Sequence, residues 1–209
     1  MSESERWSRL WEILEAEGSP DPVYRLLSDL YSERHRAYHN MSHLTHCLDE
    51  LEPARHLAEH PDEVEMALWF HDAIYDPRAK DNELRSAELC RRIAIEARLP
   101  EAFGKQVYEL VLATQHHDLP DRADARLLVD IDLSILGRPE DEFDDYETNI
   151  RKEHHFVPWP EYRSARTAIL RGFSNRAAIY STDFFRQKYE SRARANLERS
   201  LGNLEDAGS

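Results

Sequence analysis

Apolar residues recur at three- and four-residue spacing along nearly the whole chain, and no run alternates β-branched residues with polar ones. That periodicity belongs to amphipathic helices and leaves no stretch that reads as a sheet. Only 6 glycines interrupt it. The expected fold is therefore all-α, a single compact multi-helix bundle occupying residues 1–209, with its core over about 30–140 and the helices of 139–201 packed on it.

The spacing places a first helix over about Glu3 to Glu17, with Trp7, Leu10, Trp11 and Leu14 on one face, and a second through Leu26, Leu27, Leu30 and Tyr31. Asn40 can cap a third that runs to about Glu59. Pro61-Asp62-Glu63 starts a fourth, expected to reach about Tyr75. Further helices are expected near 82–98, 101–116, 126–136, 139–155, 160–175 and 182–201. Two irregular stretches, Asp76 to Asp81 and His117 to Ala125, each follow a helix that carries polar chemistry.

Lys plus Arg number 27 against 41 Asp plus Glu, a net charge of −14. This disfavours a broad nucleic-acid or anionic-membrane surface. No apolar run approaches the roughly 18 residues of a membrane helix, and MSESERWSRL lacks the apolar region of a secretory signal, so a cytoplasmic protein is expected. Cys47 and Cys90 stand singly within helical patterns. Neither a disulfide framework nor a CxxC zinc site is indicated, and each is read as a small buried hydrophobe.

The polar residues that need explaining lie inside apolar helices. In ALWFHDAIYD (67–76), His71 falls on the stripe formed by Val64, Ala67, Leu68, Ile74 and Tyr75, and Asp72 lies about 100° further round the axis. A buried carboxylate without a partner is costly. A hydrogen-bonded His–Asp pair or a shared metal ion would each satisfy both groups. His39, His43 and His46 follow at i, i+4 and i+7, Thr114-Gln115-His116-His117 closes a later helix, and Asp130 and Asp132 interrupt LLVDIDLSIL (127–136). Residues two apart on a helix point to nearly opposite sides, so one site can use only one of those two aspartates, and the other caps or pairs. Four helices each bringing an imidazole or carboxylate into apolar surroundings is hard to explain by packing.

His43, then His71-Asp72, then Asp132 reproduce the order H…HD…D, and with RAYHNMSH (36–43), DNELRSA (81–87), DIDLSILG (130–137) and IYSTDFFRQKYESRARANL (179–197) the chain resembles the HD superfamily of metal-dependent phosphohydrolases. The resemblance implies that His43, His71, Asp72 and Asp132 ligate a divalent metal, that His39 supports them, and that His116 serves a second metal or the substrate phosphate. Imidazoles and carboxylates without thiolate suit Mn, Fe, Co, Ni, Mg or Zn.

The implied activity is hydrolysis of a phosphate ester, on a nucleotide or another small phosphorylated compound, by a metal-activated water that Asp72 orients. Arg36, Arg78, Lys80 and Arg166 are candidate cations for the phosphate, Arg36 also for the developing charge, and Glu83 is a candidate general acid or base that could equally be a first-turn helix acid. Two rival classes are a di-iron oxygenase, which would need His116 as a ligand, and a non-catalytic metal- or nucleotide-binding regulator. Phe184, Phe185, Tyr189, Ala193 and Leu197 form a stripe that either packs within the chain or makes a homodimer face.

Overall fold

A computed structural model describes residues 1–115 and 121–206. The described residues form ten α-helices and contain no strand. None of these helices is long and apolar enough to cross a membrane. The helices are α1 (Glu3–Ile13), α2 (Asp21–Tyr31), α3 (Met41–Ala54), α4 (Pro61–Phe70), α5 (Asn82–Glu96), α6 (Glu101–Leu112), α7 (Ala123–Asp132), α8 (Glu140–Glu153), α9 (Trp159–Ser174) and α10 (Asp183–Asp206). Contacts divide them into two units, Met1–Val129 and Asp130–Ser209, and the boundary falls inside α7.

In the first unit α4 is the central element. Val64 to Phe70 are all buried, so the helix presents no solvent face and must sit among neighbours. It packs on α1, α3, α5 and α6. Trp7 meets Trp69 edge-on at 5.2 Å and Phe70 at 6.2 Å, and the indole N–H groups of Trp7 and Trp11 donate to the carbonyls of Pro20 and Gly18. Buried aromatics of this size dominate such a core, and the polar edges of Trp7 and Trp11 have each found an acceptor. Gly18 turns the chain between α1 and α2 with φ +84°, a conformation natural to glycine. Glu65, the one fully buried acid of α4, is held by Arg55, with Arg9 at 3.8 Å.

Several helices stop sooner than the apolar spacing alone suggests, the first and third among them. α1 ends at Ile13, and a short 3-10 turn, Arg55–Leu57, replaces the last part of the expected third helix. Before α4, the buried carboxylate of Asp124 accepts from the backbone N–H groups of Glu59 (2.7 Å) and His60 (3.1 Å).

The second unit is built on α10, which packs on α9 and on a 3-10 segment, Leu133–Gly137. Phe185, Tyr189, Ala193 and Leu197 are buried. The stripe noted in the sequence thus takes the first of its two outcomes and packs within the chain. Gly137 is required there by proximity: a Cβ on it would stand 2.5 Å from that of Tyr189. Asn196 reaches back from α10 to donate to the carbonyls of Leu136 and Arg138, both at 2.9 Å.

Candidate metal centre

The first segment of the site is the start of α3. Asn40 caps it, its side-chain oxygen accepting from the Ser42 N–H (2.9 Å) and its amide donating to the Ala37 carbonyl (3.0 Å). The helix therefore begins at Met41, which leaves His39 outside it and places His43 in the first turn. Of His39, His43 and His46, which share a helical face only if the helix begins early enough, α3 therefore carries His43 and His46 alone. His39 is held instead by its neighbours, its ring stacked on Tyr75 at 4.2 Å and edge-on to His43 at 5.9 Å.

The second segment is the end of α4, which stops at Phe70 rather than near Tyr75. Tertiary partners take its last polar groups. Tyr31 donates its hydroxyl to the Trp69 carbonyl (3.3 Å), His71 engages the Leu68 carbonyl through Nδ1 (2.8 Å), and the Ser86 hydroxyl accepts from the Ile74 N–H (3.0 Å). His71 is consequently the C-cap, and Asp72 sits in the turn beyond it. A hydrogen on His71 Nδ1 directed at a carbonyl leaves Nε2 with a lone pair, the tautomer a metal requires.

The two segments place three donor atoms face to face. His43 Nε2 and His71 Nε2 are 3.1 Å apart, and Asp72 Oδ2 lies 3.1 Å from His71 Nε2 and 3.5 Å from His43 Nε2. Ligand bonds of about 2.1 Å put neighbouring donors about 3.0 Å apart at a right angle and about 3.4 Å apart at the tetrahedral angle. The triangle has the size of one face of such a coordination shell. Hydrogen bonding alone serves it poorly: with His71 Nε2 bare, a proton on His43 Nε2 can satisfy one of the two opposite acceptors and leaves the other pair lone pair to lone pair.

Burial would raise the carboxyl of Asp72, but the imidazoles of His71 and His39 and a hydrogen bond from His43 hold it well below the usual carboxylate range. It is an anion at neutral pH. The C-terminal end of α4 adds negative partial charge at the same place, which favours a bound cation. Both histidines are buried, while the Asp72 side chain keeps 17% exposure, so the triangle opens to solvent at its carboxylate. His43, Cys47 and His71 each offer a ligand atom within 4.8 Å of one another, and Asp72 Oδ2 stands 3.1 and 3.5 Å from the two histidine nitrogens. They are compatible with a divalent metal.

The remaining candidates are placed as follows. Arg36 is buried, and its guanidinium donates to the carbonyls of Asp72 (2.7 Å), Ala73 (2.9 Å) and His39 (2.9 Å) and to Glu33 (3.0 Å). It lies between the rings of Tyr31 and Tyr75, at 5.3 and 5.5 Å. In this position it fixes the turn after α4 to the segment before α3. Arg78 and Lys80 are exposed in a loop braced by Asp76 and Asn82, whose side chains hydrogen-bond across it. Glu83 stands half-buried in the first turn of α5.

Asp132 is the last residue of α7 and, like Arg166, belongs to the second unit. Arg166 is buried there against Glu147 and the Tyr146 hydroxyl (2.8 Å), and those partners outweigh the effect of burial and keep it charged. Asp130 supplies the second role foreseen for this pair of acids: it accepts from the N–H groups of Ser181 and Thr182 and from the Thr182 hydroxyl, each at 2.7 Å, ahead of α10. His116 lies outside the described residues.

Sequence reasoning did not foresee Cys47 at the site. It is fully buried, and its sulfur is 3.8 Å from each ring nitrogen of His43. The signal was present, since Cys47 follows His43 at i+4, the spacing that brings two helical side chains together.

Compared with known proteins, the chain has no significant match to any family model, curated protein or solved structure.

Proposed function

We propose that the protein is a metal-dependent hydrolase of phosphate esters acting on a nucleotide or another small phosphorylated compound. The observation that carries the reading is the triangle of His43 Nε2, His71 Nε2 and Asp72 Oδ2, three converging donors with edges of 3.1–3.5 Å. The H…HD…D order of the sequence supports it and adds Asp132 as the fourth ligand. A divalent ion held there would lower the pKa of a water toward about 7 and polarise a phosphoryl oxygen.

The chain's own groups do the rest. The Leu68 carbonyl fixes the His71 tautomer, and Arg36 holds the turn that carries Asp72. Asp72, kept ionised, accepts a hydrogen bond from the attacking water and orients it. Arg78 and Lys80, in the loop that follows the Asp72 turn, would supply positive charge in an acidic chain to offset charge developing on the phosphate. Glu83, in the first turn of the following helix, would give the proton to the leaving oxygen.

The test is phosphate release from a panel of nucleotides and small phosphate esters, with protein stripped of metal and reloaded singly with Mn, Co, Ni, Mg or Zn. Release is expected to need metal and to fall in His71→Ala and Asp72→Ala by at least the 10²- to 10³-fold, roughly, that loss of one preorganised electrostatic group costs. Folded protein that binds metal yet releases no phosphate from any ester would overturn the hydrolytic reading.

A further inference from the structure

The two cysteines of the chain occupy different chemical surroundings. Cys90 lies in the apolar interior of α5, where burial alone pushes its thiol far above the usual range. Cys47 is equally buried, but its sulfur faces the His43 ring at 3.8 Å, and single donor atoms of His43, Cys47 and His71 lie within 4.8 Å of one another. With a metal–sulfur bond of about 2.3 Å and a metal–nitrogen bond of about 2.1 Å, sulfur and nitrogen ligands at the tetrahedral angle stand about 3.6 Å apart. The observed 3.8 Å from sulfur to His43 Nε2 is close to that separation.

We propose that Cys47 is a thiolate ligand of the metal centre, which makes the centre selective for zinc, cobalt or ferrous iron over magnesium. This rests on the metal centre of the preceding section and narrows its metal. On binding, the sulfur–hydrogen bond is exchanged for a sulfur–metal bond and the proton leaves to solvent, with no change of oxidation state. One thiolate on the edge of an imidazole and carboxylate set shifts its preference toward softer ions, because magnesium gains little from sulfur and favours all-oxygen shells.

Cobalt(II) provides a direct readout. Metal-free protein titrated with cobalt shows visible d–d bands when the ion is bound by protein ligands, and a sulfur-to-cobalt charge-transfer band in the near ultraviolet only when a thiolate is among them. Both are expected in the wild type and in Cys90→Ala, while Cys47→Ser keeps the visible bands and loses the ultraviolet one. Zinc affinity of Cys47→Ser is expected to fall by at least the roughly 10- to 100-fold that loss of a supporting partner costs, with magnesium affinity unmoved. Visible bands without the charge-transfer band in the wild type would overturn the role of Cys47 and leave the metal centre standing. Absence of both would remove the centre and the proposal together. Because the wild-type spectrum decides by itself, a Cys47→Ser protein that fails to fold does not spare the proposal, and loss of the band in Cys90→Ala instead would reassign the thiolate and overturn it.

Discussion

Both ends of α4 gather imidazole and carboxylate groups. At the start, His60, Glu63 and Asp124 offer ligand atoms within 4.8 Å of one another; at the finish stand His71 and Asp72 with His43. What separates them is the polarity of the backbone and the use already made of the acids. The N-terminal end of a helix carries about half a positive charge, which suits carboxylates and repels a cation. There the two oxygens of Asp124 are occupied by backbone N–H groups. The C-terminal end carries the opposite charge, and its last carbonyls are already engaged by Tyr31 and His71. The donors beyond it face one another. Residue type and spacing alone do not make a metal site; the electrostatic sign of the element beneath them matters as much.

The comparison breaks most visibly by exchanging damage between the two ends. Asp72→Asn is expected to empty the centre, read as metal per chain after dialysis, with the far-ultraviolet helix signal intact. Asp124→Ala should leave metal content unchanged and cost about 1–3 kcal/mol of stability in urea denaturation, the range for buried hydrogen-bonding groups left unpaired. Metal lost from the Asp124 variant instead would erase the distinction.

Arg36→Met sharpens the same contrast from the side of the scaffold. It removes the donor from three carbonyls around the site, and each buried acceptor left unpaired costs roughly 1–3 kcal/mol. A clear fall in thermal midpoint is expected, with metal affinity weakened by about 10- to 100-fold. An unchanged midpoint would show that the clamp carries no load.

The smallest effect belongs to Glu63. Burial raises its carboxyl, and Asp124 raises it further against the lowering influence of His60 and Arg122, so the folded chain holds this proton more tightly than the unfolded chain. Its contribution is greatest below the usual glutamate pKa and is lost as pH rises through the raised folded value. Glu63→Gln should flatten that part of the thermal midpoint against pH just above the usual glutamate range and leave metal binding untouched. A variant with the same acid slope as the wild type would place the titration elsewhere.

Helix type and number were legible because burial imposes a three- to four-residue period on every helix that has an inner face. Helix ends were less so. α4 stops at Phe70 because Tyr31, Ser86 and Arg36 capture polar groups around its end, and none of those partners is adjacent in sequence. The Asp130 and Asp132 argument anticipated that one of the two would serve structure, but only the contact with Ser181 and Thr182 shows which. Arg36 looked like a phosphate cation because it lies three residues before His39, whereas two of its acceptors come from residues 36 and 37 positions further along. Cys47 was passed over because a single cysteine among apolar residues reads as packing until a nitrogen is found facing it.

The grip of Arg36 on the turn after α4 has one more consequence. It joins two histidine-bearing segments by a bond that does not involve any ion, so the chain-closure entropy of bringing them together is met during folding. Loading would then be a local exchange, and the free energy of a bound ion would appear as affinity instead of as the stability of the fold, unlike small zinc domains that unfold when stripped. A centre held in this way would be emptied and refilled without taking the protein apart.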